Sequence, residues 1–457
     1  MAGNVTFMGA GATLQFDQSV SQIGGDIVRA APGDAIDLRY QSFTSGDHAV
    51  WQQTAGQSGT LTLLDGSGAV LANLNLVGRY ATSQFITASD GAAGTSIFLQ
   101  QPQNPGPPGN STADMIMTDG NGDYEIYDIG GNAILAAYLL GQAPPPLTFV
   151  GLGTFQAGDT SDMMLRSAST GGFEVYDISN NNITGAAFLG TVGMDWQVMG
   201  FGNFSSRGET DMILRNVNNG GLEVYDISNN QITGTAFLGT VGLNWQFSGV
   251  GNFSGLGESD MLLRDANTGG LEVYDIANNQ ITNSAFIGNV GVDWQFSGVG
   301  NVSGVAGETD LLLRNVNTGG LEVYDINNNQ LTGAAFLGTV GLDWQFAGIA
   351  PVHAPGASDL VLRNVNTGAF EVYDIANNQI TGAAALGSVG LDWQLGGFAA
   401  NAPTASTGSM GNSSEAAQLV QAMAGFGGGS GAAESLNTAP LGSDTSQQPQ
   451  LTTPQHT

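Results

Sequence analysis

The stretch from about Asp114 to Phe398 repeats one pattern six times, and that periodicity limits what the chain can fold into more than any other feature. An Asp precedes an apolar run at Asp114, Asp162, Asp211, Asp260, Asp310 and Asp359, with successive spacings of 48, 49, 49, 50 and 49 residues. The Tyr of an EVYDI-like run keeps step at Tyr127, Tyr176, Tyr225, Tyr274, Tyr324 and Tyr373. A fixed period near fifty means that each unit is one supersecondary element unable to bury its apolar surface alone, so neighbours must stack.

Each unit holds four short strand candidates. In the copy starting at Trp245 they are Trp245–Asn252, Ser259–Arg264, Leu271–Ile276 and Gln280–Ile287, separated by Ser254-Gly255-Leu256-Gly257, Asn267-Thr268-Gly269-Gly270 and Asn278-Asn279. Apolar residues fall on both faces, Leu271 and Val273 on one and Tyr274 and Ile276 on the other, so such a meander is buried on both sides. Radial stacking of four-stranded units is the β-propeller solution. The ends of the array sharpen this. The Asp114 unit lacks a preceding Trp strand, and a surplus strand, Leu391–Phe398, follows the Asp359 unit. The surplus strand around Trp393 can complete the first unit and remove the exposed edges of an open array. The expectation is an all-β chain: a six-bladed propeller over 113–399 closed by its C-terminal strand, preceded by a small β-rich module at 1–100 and a Pro/Gly linker at 101–112.

In the N-terminal module, LTLLDGSGAVLANL reads as a hairpin around Asp65-Gly66-Ser67-Gly68. From about Ala399 the composition shifts to Gly, Ser, Ala and Gln, which reads as a disordered tail over 400–457. A short helix there would be capped by Ser414 and carry Leu419, Val420, Met423 and Phe426 on one face.

Composition excludes several functions. The chain has no Cys and no Lys; its nine basic residues are all Arg, against 39 acidic ones, for a formal charge of −30. Such a surface disfavours nucleic acid and anionic membranes. No apolar run reaches the length of a membrane span. Thiolate metal sites are impossible. The three histidines, His48, His353 and His456, are scattered, so no Ser-His-Asp or Cys-His set can be assembled. Carboxylates are plentiful but carried by the repeat, so none stands out as an acid/base pair.

The run GVGNFSGLGESDMLLRDANTGGLEVYDI resembles the FG-GAP/VCBS repeat family, and the likeness recurs across roughly 285 residues. It implies propeller blades and leaves function open, because these blades serve adhesion receptors, lectins and enzyme appendages alike. In the N-terminal segment GDAIDL, then GTLTLLDGSGAVLANLNLVGRYATSQFITASDGAAGT, is similar, over about 90 residues, to a β-rich module found near the ends of large secreted bacterial repeat proteins of the RTX and adhesin type. That likeness implies a secreted protein exported by a one-step, type I-like route, with the uncleaved signal around Ala416–Phe426. Calcium is the cofactor that the FG-GAP loop takes when carboxylates alternate along it. Here the family's positions fall on Asn252, Ser254, Leu256 and Asp260, leaving one carboxylate of three. Arg207 occupies the central position between Asn203 and Asp211, and the loop from Asn301 to Asp310 is one residue longer. Counting ligands favours the other reading, in which these Asn and Asp side chains close turns.

A second set of candidates is the recurring trio of Trp, Arg and Glu, represented by Trp245, Arg264 and Glu272 and by Trp294, Arg314 and Glu322. In one reading they form a ring of glycan sites between blades, the Trp stacking on a sugar and the Arg–Glu pair binding hydroxyls. In the other they are architecture, met in every unit because packing demands it. The function these readings imply is a secreted, non-catalytic binding or adhesion protein with an extracellular glycan or protein as partner. The alternatives are a glycan-binding lectin, or an extracellular hydrolase or lyase built on a non-repeated carboxylate cluster. The sequence sets no oligomeric state.

Overall fold

The computed structural model describes residues 4–401 apart from 8–10, 19–24, 31, 56–57, 101–103, 144–145 and 157–161. The expected tail helix and export signal lie outside the described residues.

Among the described residues the array forms six four-stranded antiparallel sheets. Sheet 4 contains Trp245–Gly251, Asp260–Asp265, Gly270–Ala277 and Gln280–Asn289 in sequential order, within two residues of the expected strand ends. Sheet 2 begins at Leu147, sheet 3 at Trp196, sheet 5 at Trp294 and sheet 6 at Trp344. Sheet 1 differs in its source of strands. Its Ala113–Asp119, Asp123–Gly130 and Ala133–Gln142 are joined by Trp393–Ala400 from the far end of the array. That strand pairs antiparallel with Ala113–Asp119, setting Met115 opposite Phe398 and Asp119 opposite Trp393. The first strands of successive sheets touch, and those of sheets 2 and 6 both touch the Trp393 strand. The fourth strands make a second such cycle. Repeated sheets in this arrangement fit a β-propeller.

Burial follows from that stacking. The second strands are the heart of each sheet, and Asp260–Asp265 is buried along its whole length. Each apolar cluster joins opposed faces of two sheets: Ile213, Leu222 and Val224 of sheet 3 pack on Met261, Leu263 and Tyr274 of sheet 4. A fully buried Leu such as Leu263 is worth roughly 2 kcal/mol of transfer free energy. Close approach is needed where first strands meet. Gly298 sits at a register shift with φ of 130°, and a Cβ there would lie 2.8 Å from Ile349 and 2.9 Å from Phe346 of the next sheet.

A polar circuit runs along the same seams. Each third-to-fourth hairpin turns on two residues with positive φ, Asn278-Asn279 in sheet 4 and Gly131-Asn132 in sheet 1, the requirement of a two-residue type I′ turn. The second Asn of each turn reaches back to the Asp of the preceding sheet's YDI run. Asn181 donates to Asp128 at 2.9 Å, Asn230 to Asp177 at 2.6 Å, Asn279 to Asp226 at 2.7 Å, Asn329 to Asp275 at 2.8 Å and Asn378 to Asp325 at 2.8 Å. Asn132 of sheet 1 donates to Asp374 of sheet 6 at 2.9 Å. The backbone N–H of Asn279 also bonds the Phe204 carbonyl of the sheet behind, as Asn329 does with Phe253. The sequence identified Asn278-Asn279 as a turn; that the turn also bolts two sheets together was not apparent.

The N-terminal module packs two sheets on one core that includes Ile27, Leu38, Leu61, Leu74 and Ile97. The expected hairpin is present: Ser58–Leu64 pairs antiparallel with Val70–Val77, and the Asp65 carboxylate closes the turn on the Ser67 and Ala69 N–H groups. Parallel pairings, Thr13–Phe16 with Ala35–Leu38 and Val5–Thr6 with Ile27–Val28, went unforeseen because alternation reports faces and not partners. The Pro/Gly segment is not a free spacer where it is described. Asn104 donates its side-chain N–H groups to the Leu139 and Asn181 carbonyls, and Asn182 bonds the Asn104 carbonyl.

Substituting Asn329 by Gly keeps the left-handed backbone and removes only the bond to Asp275. The loss expected is about 1.5–3 kcal/mol, the range for a hydrogen bond to a charged group, read as a lower urea midpoint with unchanged far-UV circular dichroism.

Candidate functional site

The loops resembling calcium sites are closed by their own backbone. Asn252 Oδ1 accepts the Gly257 N–H at 2.9 Å while its Nδ2 donates to the Gly307 carbonyl of the next loop at 2.8 Å. Asn203 Oδ1 accepts from Gly208 at 2.8 Å, and Asn301 Oδ1 from Gly304 at 2.9 Å. The buried Asp at the loop's end takes N–H donors: Asp211 from Ser205, Asp260 from Ser254, and Asp310 from Val302 and Ser303. Leu256 is exposed to solvent, and Arg207 swings out to pair with Asp226 at 3.4 Å. The Asn oxygens and one oxygen of each Asp are committed to amide hydrogens, and each loop keeps only one of the three carboxylates that the family's calcium loop uses, so the loops offer few ligands for calcium. They behave as turn closers.

The buried carboxylates carry a pH signature. Burial pushes Asp211 and Asp260 up to about 7 and Asp310 up to about 6, against the lowering effect of their backbone hydrogen bonds. One oxygen of each, Oδ1, is buried without a partner. His353 replaces the loop Ser in sheet 6, and its Nδ1 lies 2.7 Å from Asp359 Oδ1, with Asp374 nearby. That imidazole is committed to Asp359, and Asp374 to Asn132.

The Trp, Arg and Glu of one repeat do not meet. Phe247, Leu263, Glu272 and Phe286 stand opposite one another across sheet 4, and Trp245 shares their face two residues from Phe247. Arg264 is in register with Gln246 and Leu271, on the other face. Its Nη2 donates to the Gly291 carbonyl of the next turn at 2.7 Å, and Arg314 treats Gly341 likewise at 2.9 Å. In sheet 2, Arg166 grips both Gly193 at 2.8 Å and Trp196 at 2.5 Å. The arginines are therefore latches on the crossover from one sheet to the next. The two-residue period of a strand puts Arg264 and Arg314 behind their own sheets from Trp245 and Trp294 and turns them toward the next sheet, so a site combining Arg with Trp and Glu would draw on two adjacent sheets, with the guanidinium already engaged by backbone carbonyls.

What remains on the other face is a Trp–Glu–Tyr group, with the Tyr hydroxyl donating to the Glu: Tyr225 to Glu223 at 3.0 Å and Tyr324 to Glu322 at 2.6 Å. Trp196, Trp245, Trp294 and Trp344 are half-buried, as are the Glu residues. Opposite each Glu stands the fourth-strand residue: Phe188, Phe237, Phe286 and Phe336 in sheets 2 to 5, each 62–64% exposed. Four aromatic rings are bare to solvent at one register position of the array.

Sheet 1 is the exception. Leu139 takes the place of the Phe and Thr118 that of the Arg, while Asp123 stands where sheets 2 to 5 have Gly. Onto this sheet the N-terminal module sends Arg79. Its Nη1 lies 3.2 Å from Glu125 Oε1, and its guanidinium sits over the Trp393 ring, 4.9 Å from the centroid. Tyr127 holds the other oxygen, Oε2, at 2.6 Å. Trp393 is buried where its counterparts are half-open. Beside Arg79 a cleft of about 440 Å³ is lined by Gln53, Tyr80, Ala81, Glu125 and Leu139. Burial and the neighbouring Asp119 push Asp123 up to about 7. Sequence reading missed Arg79 because nothing in the linear pattern ties the module to sheet 1; the departures at Thr118, Asp123 and Leu139 were the available signal.

No family model matches the chain, and no curated protein matches it either. Solved structures do match. The dihydro-heme d1 dehydrogenase NirN, in complex with DHE, is 11% identical with a TM-score of 0.34, covering 78% of this chain and 77% of that one. A quinonprotein alcohol dehydrogenase-like protein from Bacteroides thetaiotaomicron is 8% identical with a TM-score of 0.34, covering 82% and 95%. The Photorhabdus luminescens Tc holotoxin pore is 12% identical with a TM-score of 0.41; the match covers 72% of this chain and only 18% of that one. At such scores the likeness carries no argument, and the fold rests on the strand pairing itself.

The raised carboxylates give a signed pH dependence. An Asp at about 7 when folded and near 3.9 when unfolded binds a proton on folding between those values, so stability falls as pH rises from about 4 to about 7. The denaturation midpoint is expected to be higher at pH 5 than at pH 8, each carboxylate contributing on the order of 1 kcal/mol or more. Asp260→Asn, which stays neutral, should flatten the slope; an unchanged slope in that variant removes Asp260 from the account.

Proposed function

We propose that this chain is a non-catalytic binding protein: a closed six-bladed propeller of the FG-GAP/VCBS kind, carrying the N-terminal module over 1–100 and acting outside the cell. The observation that carries this reading is the rim of Phe188, Phe237, Phe286 and Phe336. These rings are more than 60% exposed in a fold that has used its other recurring polar groups to hold blades together. The Arg residues grip backbone carbonyls, the turn Asn residues grip Asp, and the loop Asp residues grip loop amides. Large exposed apolar side chains repeated at one position on consecutive blades offer a partner a series of apolar contacts. Repetition on consecutive blades suits a partner engaged at several points, for which weak individual contacts add to a tight whole.

An extracellular glycan or protein is the partner class, and secretion by a one-step route is proposed from the RTX-like resemblance. Among the described residues no helix is long and apolar enough to cross a membrane. The enzyme alternative would draw on the carboxylates at the module–blade cleft, the repeat-borne Glu125 and the non-repeated Asp123. There Glu125 is held by both Arg79 and Tyr127, and Asp123 is buried, so neither is poised toward a substrate.

The test is a panel of immobilised glycans and extracellular matrix proteins probed with the full chain and with a Phe188/Phe237/Phe286/Phe336→Ser variant. The substitutions lie on the surface, so the melting temperature should hold while binding falls by at least about tenfold, roughly 1.4 kcal/mol. Binding that survives all four changes would sink the rim as the interaction surface.

A further inference from the structure

Blade 1 shows what its Trp–Glu–Tyr group holds. Arg79 reaches it from outside the array, its guanidinium over the indole of Trp393 and bonded to Glu125 Oε1, while the Tyr127 hydroxyl occupies Oε2. A planar cation stacked on an indole and bonded to a carboxylate satisfies both preferences of arginine at once.

The same constellation recurs in blades 3, 4 and 5 without a cation. The sets are Trp196, Glu223 and Tyr225; Trp245, Glu272 and Tyr274; and Trp294, Glu322 and Tyr324, placed by equivalent register on one sheet face. In blades 3 and 5 the Tyr hydroxyl again takes Oε2 and leaves Oε1, the atom that meets Arg79 in blade 1. Among the described residues none of these three Glu makes an ion pair. The arginine of the preceding blade faces each group but spends its guanidinium on backbone carbonyls, Arg215 on that of Trp245 and Arg264 on that of Gly291. Next to each Glu the exposed Phe237, Phe286 or Phe336 stands where blade 1 has Leu139, which lines the cleft against the module. Blade 2 lacks the indole, having Leu147 at that position, and blade 6 lacks the Phe, having Ala385. Asp123, which adds negative charge near Arg79, has no counterpart in blades 3 to 5. The chain's charge of −30, with no lysine of its own, favours a cationic partner over the whole surface.

Building on the binding reading, we propose that the Trp–Glu–Tyr groups of blades 3, 4 and 5 are guanidinium receptors: they dock arginine side chains of a partner polypeptide, with the rim Phe covering the apolar part of each contact. Arg79 is the built-in example, with the N-terminal module as the partner in cis.

The probe is hexa-arginine, with hexa-lysine of equal charge as its control, titrated into the full chain at about 0.15 M salt so that long-range attraction is screened. Calorimetry and intrinsic Trp fluorescence give the readout. Hexa-arginine is expected to bind at least about tenfold more tightly than hexa-lysine and to perturb Trp emission, since stacking on indole favours guanidinium. The Glu223/Glu272/Glu322→Gln variant should lose that preference at an unchanged melting temperature. Should the triple change disturb folding, Trp196/Trp245/Trp294→Phe keeps an aromatic in the packing and should cut the preference several-fold. Equal affinity for the two peptides, or a preference that survives the Gln variant, overturns the proposal and leaves only general charge attraction. If the peptide preference fails while partner binding still depends on the rim Phe residues, the binding reading stands and only its arginine chemistry falls; loss of both removes the reading itself.

Discussion

The bond from a turn Asn to the Asp of the sheet behind it is the constraint on which the rest of the structure depends. It occurs at all six seams, at 2.6–2.9 Å, including the one where Asn132 meets Asp374 across most of the array's length in sequence. Apolar packing between sheets is strong but undirected; it would tolerate a shift of one sheet along the next. A charged acceptor met by an amide on a left-handed hairpin tip tolerates little displacement, so it fixes the offset of each pair. With the same offset imposed at every seam, the rotation from sheet to sheet is uniform, and a uniform rotation is what lets the strand around Trp393 arrive beside Ala113–Asp119.

Uniformity also separates the side chains that build from those left to act. Arg264 and its equivalents look like binding groups because they are cationic and regular, yet regularity is what a latch on every crossover requires. Asp260 and its equivalents look like metal ligands because they end a loop resembling a calcium loop, yet one oxygen of each already closes that loop on its amides. Groups released from such duties are few: in blades 3, 4 and 5 an indole edge, one carboxylate oxygen and an exposed Phe. The departures from regularity are equally telling. Blade 1 has changed at Asp123 and Leu139 on the face where the N-terminal module arrives.

Much of the architecture was legible in the linear pattern. Spacing near fifty gave the units, the turn residues gave four strands each to within two residues, and the missing and surplus Trp strands at the two ends identified Trp393 as the completing segment. The site was less legible, for two physical reasons. A sequence motif does not say which face of a strand a residue occupies, although counting alternate positions outward from Trp245 and Arg264 already separates them once the strands are set in register. Contacts between units are the second reason. In five of the six seams the Asn and Asp of the circuit lie 53 or 54 residues apart, so their partnership hides inside the repeat itself. The parallel pairings of the module stayed out of reach because alternation cannot choose a strand's neighbour.

Trp393 joins these threads. Its strand completes sheet 1, so its position depends on every seam before it; its indole carries Arg79, so the seating of the N-terminal module depends on that strand. Before the Trp393 strand arrives, sheet 1 has three strands, an open edge at Ala113–Asp119, and Glu125 without the ring beside it. Completion therefore supplies two things at once, hydrogen-bond partners for the edge and an aromatic floor for the guanidinium. Docking of Arg79 stabilises the same strand in return, since removing the cation would uncover an indole that is now buried. Coupling of this kind is reciprocal by thermodynamic necessity. The module is thus more than an appendage on a finished ring: it holds the last strand laid down, at the one sheet whose side chains have changed to receive it.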